Sequence, residues 1–221
     1  MSQLSFLSEP PAGGPFGCVD QWASGLGRGP VVGVDEAGRG PLAGPVVAGA
    51  VSLFDAHLPH CLADLNDSKQ LTPAKRKALA KVISRVSFTG VGIATVEEID
   101  QFNILNATFL AMQRALSMTA RRMEADQFLC LVDGNKTIPA LEQEQYALVK
   151  GDGRSWAIAA ASVVAKVVRD RIMDVLHERD PRYGFSGHKG YGTLGHRRAL
   201  SQFGPSAWHR KSFRWRPVDV E

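Results

Sequence analysis

Apolar residues in this chain fall into short runs and helical stripes separated by turn-forming clusters. Residues 31–36 (VVGVDE) begin with an apolar run that does not alternate, the pattern of a strand buried on both faces. A second run, 46–54, follows the turn-rich stretch GRGPLAGP. Runs at 88–94 and 128–132 predict two more strands, and 147–149 predicts a brief further one. Thr72 before Pro73 supplies an N-cap with proline at the first helical position, which predicts a helix to about residue 84. Thr95 and Glu98 have capping-box spacing at the head of a short helix over 95–99. Asn103 opens a long amphipathic helix to about residue 125, in which Ile104, Ala107, Leu110, Ala111, Ala115 and Met118 share helical spacing. Ser155 caps a long helix to about 179, and 193–203 predicts another. Strands and helices alternate after the opening hairpin, so the expected class is an α/β sheet covered by helices.

Residues 1–29 show no such period. They are rich in Gly, Pro and Ser and predict a flexible leader ahead of one domain over 30–221. A chain of 221 residues is long enough for a substantial core. The first 27 residues contain no Lys or Arg, unlike a secretory signal, and no apolar stretch is long enough to span a bilayer. The expectation is a cytoplasmic protein with no membrane partner. The three cysteines, Cys18, Cys61 and Cys130, form no CxxC pair, which argues against a disulfide framework or a zinc ribbon. His57, His60 and Cys61 have weak zinc spacing without a partner pair and read as surface, while Cys130, inside an apolar strand, reads as core.

The net charge of +4 is unevenly spread. Residues 181–218 hold no Asp or Glu but eight basic residues: Arg182, Lys189, Arg197, Arg198, Arg210, Lys211, Arg214 and Arg216. The rest of the chain has 18 basic against 22 acidic residues. Aromatic residues interleave with this basic set, among them Tyr183, Tyr191, Phe203, Trp208 and Trp215. Cations neutralise phosphates and flat rings pack on bases or sugars, so this region predicts nucleic-acid contact rather than a plain solvated tail. His188, His196 and His209 lie within it and are expected to touch phosphate or fill space rather than act as bases.

Two apolar strands end on acids, Val34 leading to Asp35 and Val132 to Asp133. Ligands of open α/β sheets gather beyond the carboxyl ends of strands. Asp133 before Gly134, taken alone, reads as a turn cap. Asp35 and Asp133 together, with Glu36, point to a cation. Neighbours on a strand face opposite ways, so Asp35 and Glu36 are expected to share a site through a strand end or bulge at Ala37-Gly38. The helix after Ser155 is apolar nearly all round through Val168, except for a ridge of Ser162, Lys166 and Asp170 with Arg169 beside it. That ridge fits either an internal Lys166–Asp170 pair or a polar partner outside the helix. Four carboxylates without His or Cys suit a hard cation, Mg²⁺ or Mn²⁺, and phosphoryl transfer to water. Asp152, a fifth acid nearby, reads as a loop residue, and Trp156 as a core plug. Gly38-Arg39-Gly40 follows the first acids. Alone it is an ordinary tight turn; beside the acids it can bring backbone N–H groups close to a hydroxyl while Arg39 holds a phosphate.

These segments closely resemble bacterial ribonuclease HII, the type 2 ribonuclease H family: GVDEAGRGPLAGPVVAGAV, LNDSKQLTPAKR, NILNATFLAMQRAL, LVDGNK, IAAASVVAKVVRDR, GHKGYGT and FGPSAWHRKSF, in the family's order. The resemblance implies a ribonuclease H-like fold, with a mixed five-stranded sheet flanked by helices and a helical, basic C-terminal region. It implies a catalytic and metal set of Asp35, Glu36, Asp133 and Asp170, served by Mn²⁺ or Mg²⁺, with two ions during catalysis. It implies that Gly38, Arg39 and Gly40 read a 2′-hydroxyl at an RNA–DNA junction, that Tyr191 packs on the adjoining deoxyribose, and that Lys69 contacts a phosphate. The implied substrates are RNA–DNA hybrids and duplex DNA carrying ribonucleotides, cut on the 5′ side of the ribonucleotide to leave 3′-hydroxyl and 5′-phosphate ends, in the service of ribonucleotide removal. A monomer is expected. Two other readings remain at this level: a resolvase- or integrase-like DNA nuclease on the same fold, and a non-catalytic nucleic-acid-binding module that uses only the basic region.

Overall fold

The computed structural model describes residues 9–54, 62, 65 and 71–218. Within them the sheet is mixed and five-stranded, in the order β3-β2-β1-β4-β5. The strands are β1 (Val31–Ala37), β2 (Val46–Leu53), β3 (Ser87–Ala94), β4 (Leu129–Asp133) and β5 (Gln145–Leu148). β1–β2 and β2–β3 are antiparallel, whereas β1–β4 and β4–β5 are parallel. The central strand β1 therefore carries its acids out at the carboxyl edge, beside the carboxyl end of β4.

The helices are α1 (Cys18–Gly25), α2 (Pro73–Ile83), α3 (Val96–Met123), α4 (Trp156–Arg179), α5 (Phe185–His188) and α6 (Leu194–Phe203). Their starts follow the sequence signals. Thr72 accepts from the Lys75 N–H, Thr95 and Glu98 form the capping box, Ser155 accepts from Ile158 N–H and Thr193 from His196 N–H. The two helices expected on either side of residue 100 run together as α3. Their junction survives at Asn103, whose φ of 66° leaves the helix and whose Oδ1 accepts from the N–H groups of Leu105 and Asn106. The Asn103 side chain restarts the helix there as a cap.

α3 covers one sheet face, packing Ala107, Ala111, Met112 and Ala115 on Val32, Val34, Val46, Ala48 and Cys130. α4 covers the other, with Ala159, Ala160 and Val163 beside Val51. Its small residues meet sheet glycines. A Cβ on Gly33 would lie 2.2 Å from the Ala157 carbonyl carbon, and one on Gly49 would lie 2.4 Å from the Ala161 oxygen. The helix backbone thus rests on the sheet backbone, which only glycine allows.

One expectation changes. Residues 18–25, placed by sequence in a flexible leader, form α1. Val19 and Ala23 pack against Leu129, Leu131, Leu148 and Ile158. The buried Asp20 accepts from Ser155 Oγ at 2.9 Å, Trp156 N–H at 2.8 Å and Ala157 N–H at 3.0 Å, capping α4 from outside its own segment. Trp156 is the core plug, edge-on to Phe16. Eight residues carry too little period to declare a helix, and a cap from a remote segment leaves no local trace.

Several cations of the basic C-terminal region are spent within the fold. Arg182 pairs with Asp180, Lys189 pairs with Asp174, and Arg210 is buried. The segment after α6 returns to the sheet domain. His209 bridges to Ala43, and Asp100 accepts from the N–H groups of Lys211 and Ser212. No described helix is long and apolar enough to cross a membrane. Lys69, His57, His60 and Cys61 lie outside the described residues.

Candidate active site

Gly33 and Asp35 share the face of β1 that meets α4, Gly33 against Ala157 and Asp35 against Ser162, and Glu36, at the strand end, lines a cleft with Ser162, Lys166 and Arg169 of the same helix. Of the two expected devices the strand end is the one present: the register with β2 runs unbroken through Glu36↔Ala48 and Ala37↔Val47, and β1 stops at Ala37, before Gly38 with φ of 99°. The pairing of β1 with β4 ends at Val34↔Val132, so Asp35 and Asp133 are the next residues along the two neighbouring strands. There the Asp35 carboxylate accepts the Glu36 N–H at 2.6 Å and a hydrogen bond from Ser162 of α4. Asp133 is held by the turn that precedes α4, its Oδ1 accepting from Gly151 N–H at 2.7 Å and from Asp152 N–H at 3.3 Å.

Electrostatics join these acids. Asp35 is only 6% exposed. Burial raises its pKa well above the usual range, and the charges of Glu36 and Asp133 raise it further. Glu36 is also raised, first by burial; Arg39 pulls it back and Asp133 adds to the rise. Arg39 lies 3.2 Å from Glu36 Oε1. A buried carboxylate pushed up by two neighbouring acids marks a surplus of negative charge that a cation would relieve. The donors are all oxygen, which fits a hard divalent ion.

Asp170 of α4 is bound at 2.6 Å by Lys166, one turn earlier, and lies 4.0 Å from Arg76 of α2, two residues that line the same cleft as Glu36. The polar ridge on α4 is therefore divided: Ser162 serves Asp35 while Lys166 serves Asp170. Among the described residues no three His, Cys, Asp or Glu side chains form a ready-made cation cage. Asp35, Glu36 and Asp133 interact with one another, whereas Asp170 is engaged by its cationic neighbours.

A cleft of about 390 Å³ is lined by Glu36 together with Gly38, Arg39, Gly40, Arg76, Ser162, Lys166, Arg169 and Tyr191; Asp35, Asp133 and Asp170 are not in its lining. A Cβ on Gly40 would lie 3.7 Å from Tyr191 Cε1, so the aromatic ring borders the Gly-Arg-Gly loop across roughly 150 residues of sequence. Gly38 has φ of 99°, and a side chain there would strike Arg169 Nε at 2.0 Å. The loop can take this path only with glycine.

Three arginines missed by sequence reasoning shape this cleft. Arg169 donates to the carbonyls of Pro45, Lys189 and Ala43, and Arg210 donates to those of Gly44, Arg39 and Gly38. Burial lowers both guanidinium pKa values, that of Arg210 to about 9, with Arg169 adding repulsion. Arg76 donates to Leu71 O beside Asp170. The available signal for Arg169 was its place on an otherwise apolar helix; Arg210 had none, being one of many basic residues in its region.

Comparison with known proteins adds the family. The model for ribonuclease HII matches residues 32–216. A ribonuclease HII from Parvibaculum lavamentivorans is 51% identical over 183 residues, 83% of this chain and 65% of that protein's length. Among solved structures, the ribonuclease HII of Archaeoglobus fulgidus in complex with PCNA superposes with a TM-score of 0.67 at 25% identity, over 86% of this chain and 98% of that one. Bst-RNase HIII in complex with Mn²⁺ superposes with a TM-score of 0.66 at 21% identity, over 89% and 69%, a likeness of fold.

Proposed function

The chain belongs to the ribonuclease HII family, metal-dependent endoribonucleases, and from that premise we propose that it cuts duplex DNA on the 5′ side of an embedded ribonucleotide and hydrolyses the RNA strand of RNA–DNA hybrids. The products carry 3′-hydroxyl and 5′-phosphate ends, and the reaction serves removal of ribonucleotides from DNA, with the enzyme acting as a cytoplasmic monomer. The observation that carries the reading is the position of the Tyr191 ring beside Gly40 on the rim of the cleft that Glu36 and Arg39 also line. A sugar-sensing surface beside a cluster of carboxylates suits a nuclease that distinguishes a 2′-hydroxyl from a hydrogen.

In this reading Asp35, Glu36, Asp133 and Asp170 hold one or two Mg²⁺ or Mn²⁺ ions. When bound, such ions supply Lewis-acid activation of water and stabilisation of the leaving oxygen. The chain's own groups do the rest. Ser162 orients the Asp35 carboxylate, and the turn at Gly151 and Asp152 orients that of Asp133. Gly38 and Gly40 let backbone approach the ribose, while Arg39 holds a phosphate against the loop. Tyr191 packs on the neighbouring deoxyribose and leaves no room for a 2′-hydroxyl there. Lys69 contacts a flanking phosphate.

A cleavage map on a duplex with one ribonucleotide tests this reading. The expected result is a single cut on the 5′ side of that nucleotide, present with Mg²⁺ or Mn²⁺ and lost in excess EDTA. Robust cleavage in EDTA, or better cutting of an all-DNA branched junction, would overturn it.

A further inference from the structure

We propose that His196 and His209 are positioning residues that set the place of Tyr191 through a one-directional hydrogen-bond chain from the C-terminal segment; this rests on the reading of Tyr191 as a sugar contact. The direction follows from donors whose identity is fixed. The Ser206 backbone N–H donates to His209 Nδ1 at 2.9 Å, so that nitrogen carries no proton. The proton of neutral His209 is therefore on Nε2, which lies 2.9 Å from His196 Nε2. His196 accepts there, so its own proton is on Nδ1, which donates to the Tyr191 carbonyl at 2.9 Å. Each link determines the next.

The surroundings support neutral rings throughout. His196 is fully buried and His209 is 5% exposed. Burial lowers both pKa values to about 4. His188 stacks on His196 with centroids 4.4 Å apart and opposes its charging, while Tyr183 and Phe185 pack against His209. Asp180, itself paired with Arg182, acts on His209 from one side in the opposite sense, and His177 faces His188 from α4. A second proton on either ring of the His196–His209 pair would set two N–H groups against each other.

The chain ends on the backbone of a residue whose side chain is turned outward. Tyr191 is 49% exposed. Its carbonyl accepts from His196 Nδ1 and from Thr193 N–H at 2.8 Å, and its own N–H donates to the His188 carbonyl at 2.9 Å. His188 is fixed in turn, accepting from Gly190 N–H on Nδ1 and donating from Nε2 to the Tyr183 carbonyl at 2.7 Å. The histidines of this region form an internal support under the aromatic ring at the cleft.

The test uses the full chain and two readouts. Long-range ¹H–¹⁵N spectra should show His196 protonated on Nδ1 and His209 on Nε2 at pH 7, and His209→Phe should shift the Tyr191 backbone and ring resonances. Opposite tautomers, or unchanged Tyr191 resonances, overturn the proposal without reference to any activity. In cleavage assays, His196→Leu should reduce preference for a single-ribonucleotide duplex over a long hybrid by roughly 10- to 100-fold, the scale of a displacement of about 1 Å. The same change made on Tyr191→Ala should add nothing further. His209→Gln, which keeps a donor toward His196, should restore most of the preference lost in His209→Phe. Additive losses, or equal losses on both substrates, would reduce the histidines to packing. If Tyr191→Ala itself leaves the preference unchanged while the spectra come out as expected, the sugar-contact reading fails and the histidine support stands.

Discussion

Arg210 reaches back 172 residues to donate its guanidinium N–H to the carbonyl of Gly38 at 2.5 Å. It bonds Arg39 and Gly44 as well, so the loop proposed to read the sugar is fastened from below by the C-terminal segment. Arg210 is 3% exposed and spends its donors on backbone carbonyls. Removing a partner from buried carbonyls costs about 1–3 kcal/mol per group. Arg210→Met should therefore lower unfolding stability by roughly 2–4 kcal/mol, and Arg210→Lys should recover little, since an ammonium does not reproduce a planar fork. Urea unfolding measures both; wild-type midpoints would remove the fastening role.

Asp133→Asn should abolish turnover and leave duplex binding nearly intact. Asn Oδ1 still accepts the N–H groups of Gly151 and Asp152, so the turn is kept while the charge is lost. Cleavage rate and duplex affinity, measured on one preparation, separate the two effects. Near-normal rates would exclude Asp133 from the cation site.

Arg39→Ala and Tyr191→Ala should each slow cutting at a single ribonucleotide more than cutting of a long hybrid. One junction offers a single place to test both sugars, whereas a hybrid offers a 2′-hydroxyl at every step. The ratio of kcat/KM values on the two substrates is the measurement, and an unchanged ratio would undo the junction-reading role.

Stability should fall as the solution is acidified through the buried histidines. The folded pKa values of His196 and His209 lie at about 4, below the ordinary 6.5, so the unfolded chain binds more protons in that window. Their contribution is complete above pH 6.5 and is lost as pH drops toward 4. For one such ring the loss is on the order of 3 kcal/mol. Unfolding midpoints for wild type and His209→Phe between pH 7.5 and 4.5 give the difference; parallel curves would contradict it.

Asp20→Ala should destabilise the fold by roughly 2–4 kcal/mol, because the donors of Ser155, Trp156 and Ala157 lose a common buried acceptor. Deleting residues 1–25 should cost at least as much. A truncated protein as stable as the full chain would show that α1 is dispensable.

The sequence carries the elements well because their signals are local. Thr72-Pro73, the Thr95–Glu98 box, Asn103, Ser155 and Thr193 each begin a helix where a side-chain oxygen meets backbone donors within three residues. Asp35 and Asp133 are legible as strand-end acids for the same reason. What depends on distant segments meeting is not legible. Asp20 looks like any leader acid until α4 ends on it, and Arg210 looks like a phosphate contact until the loop carbonyls close around it. The break at Ala37-Gly38 is legible because glycine is its local signal. β1 does end at Ala37, before Gly38; that its pairing with β4 stops earlier, at Val34↔Val132, is a property of another strand and leaves no local trace.

Where α4 lies on Gly33 and Gly49 there is no side chain to compress, rotate or trim. The spacing between helix and sheet is set by main-chain atoms, the least adjustable parts of the molecule. Ser162 therefore inherits its height above Asp35 from a hard stop. Substitutions among the surrounding aliphatic residues should erode the melting temperature long before they shift Ser162 against Asp35, while a single methyl at either glycine would wedge the helix off its seat. The seating of α4, and with it Ser162 against Asp35, is in this sense machined into the main chain and insulated from drift in the core.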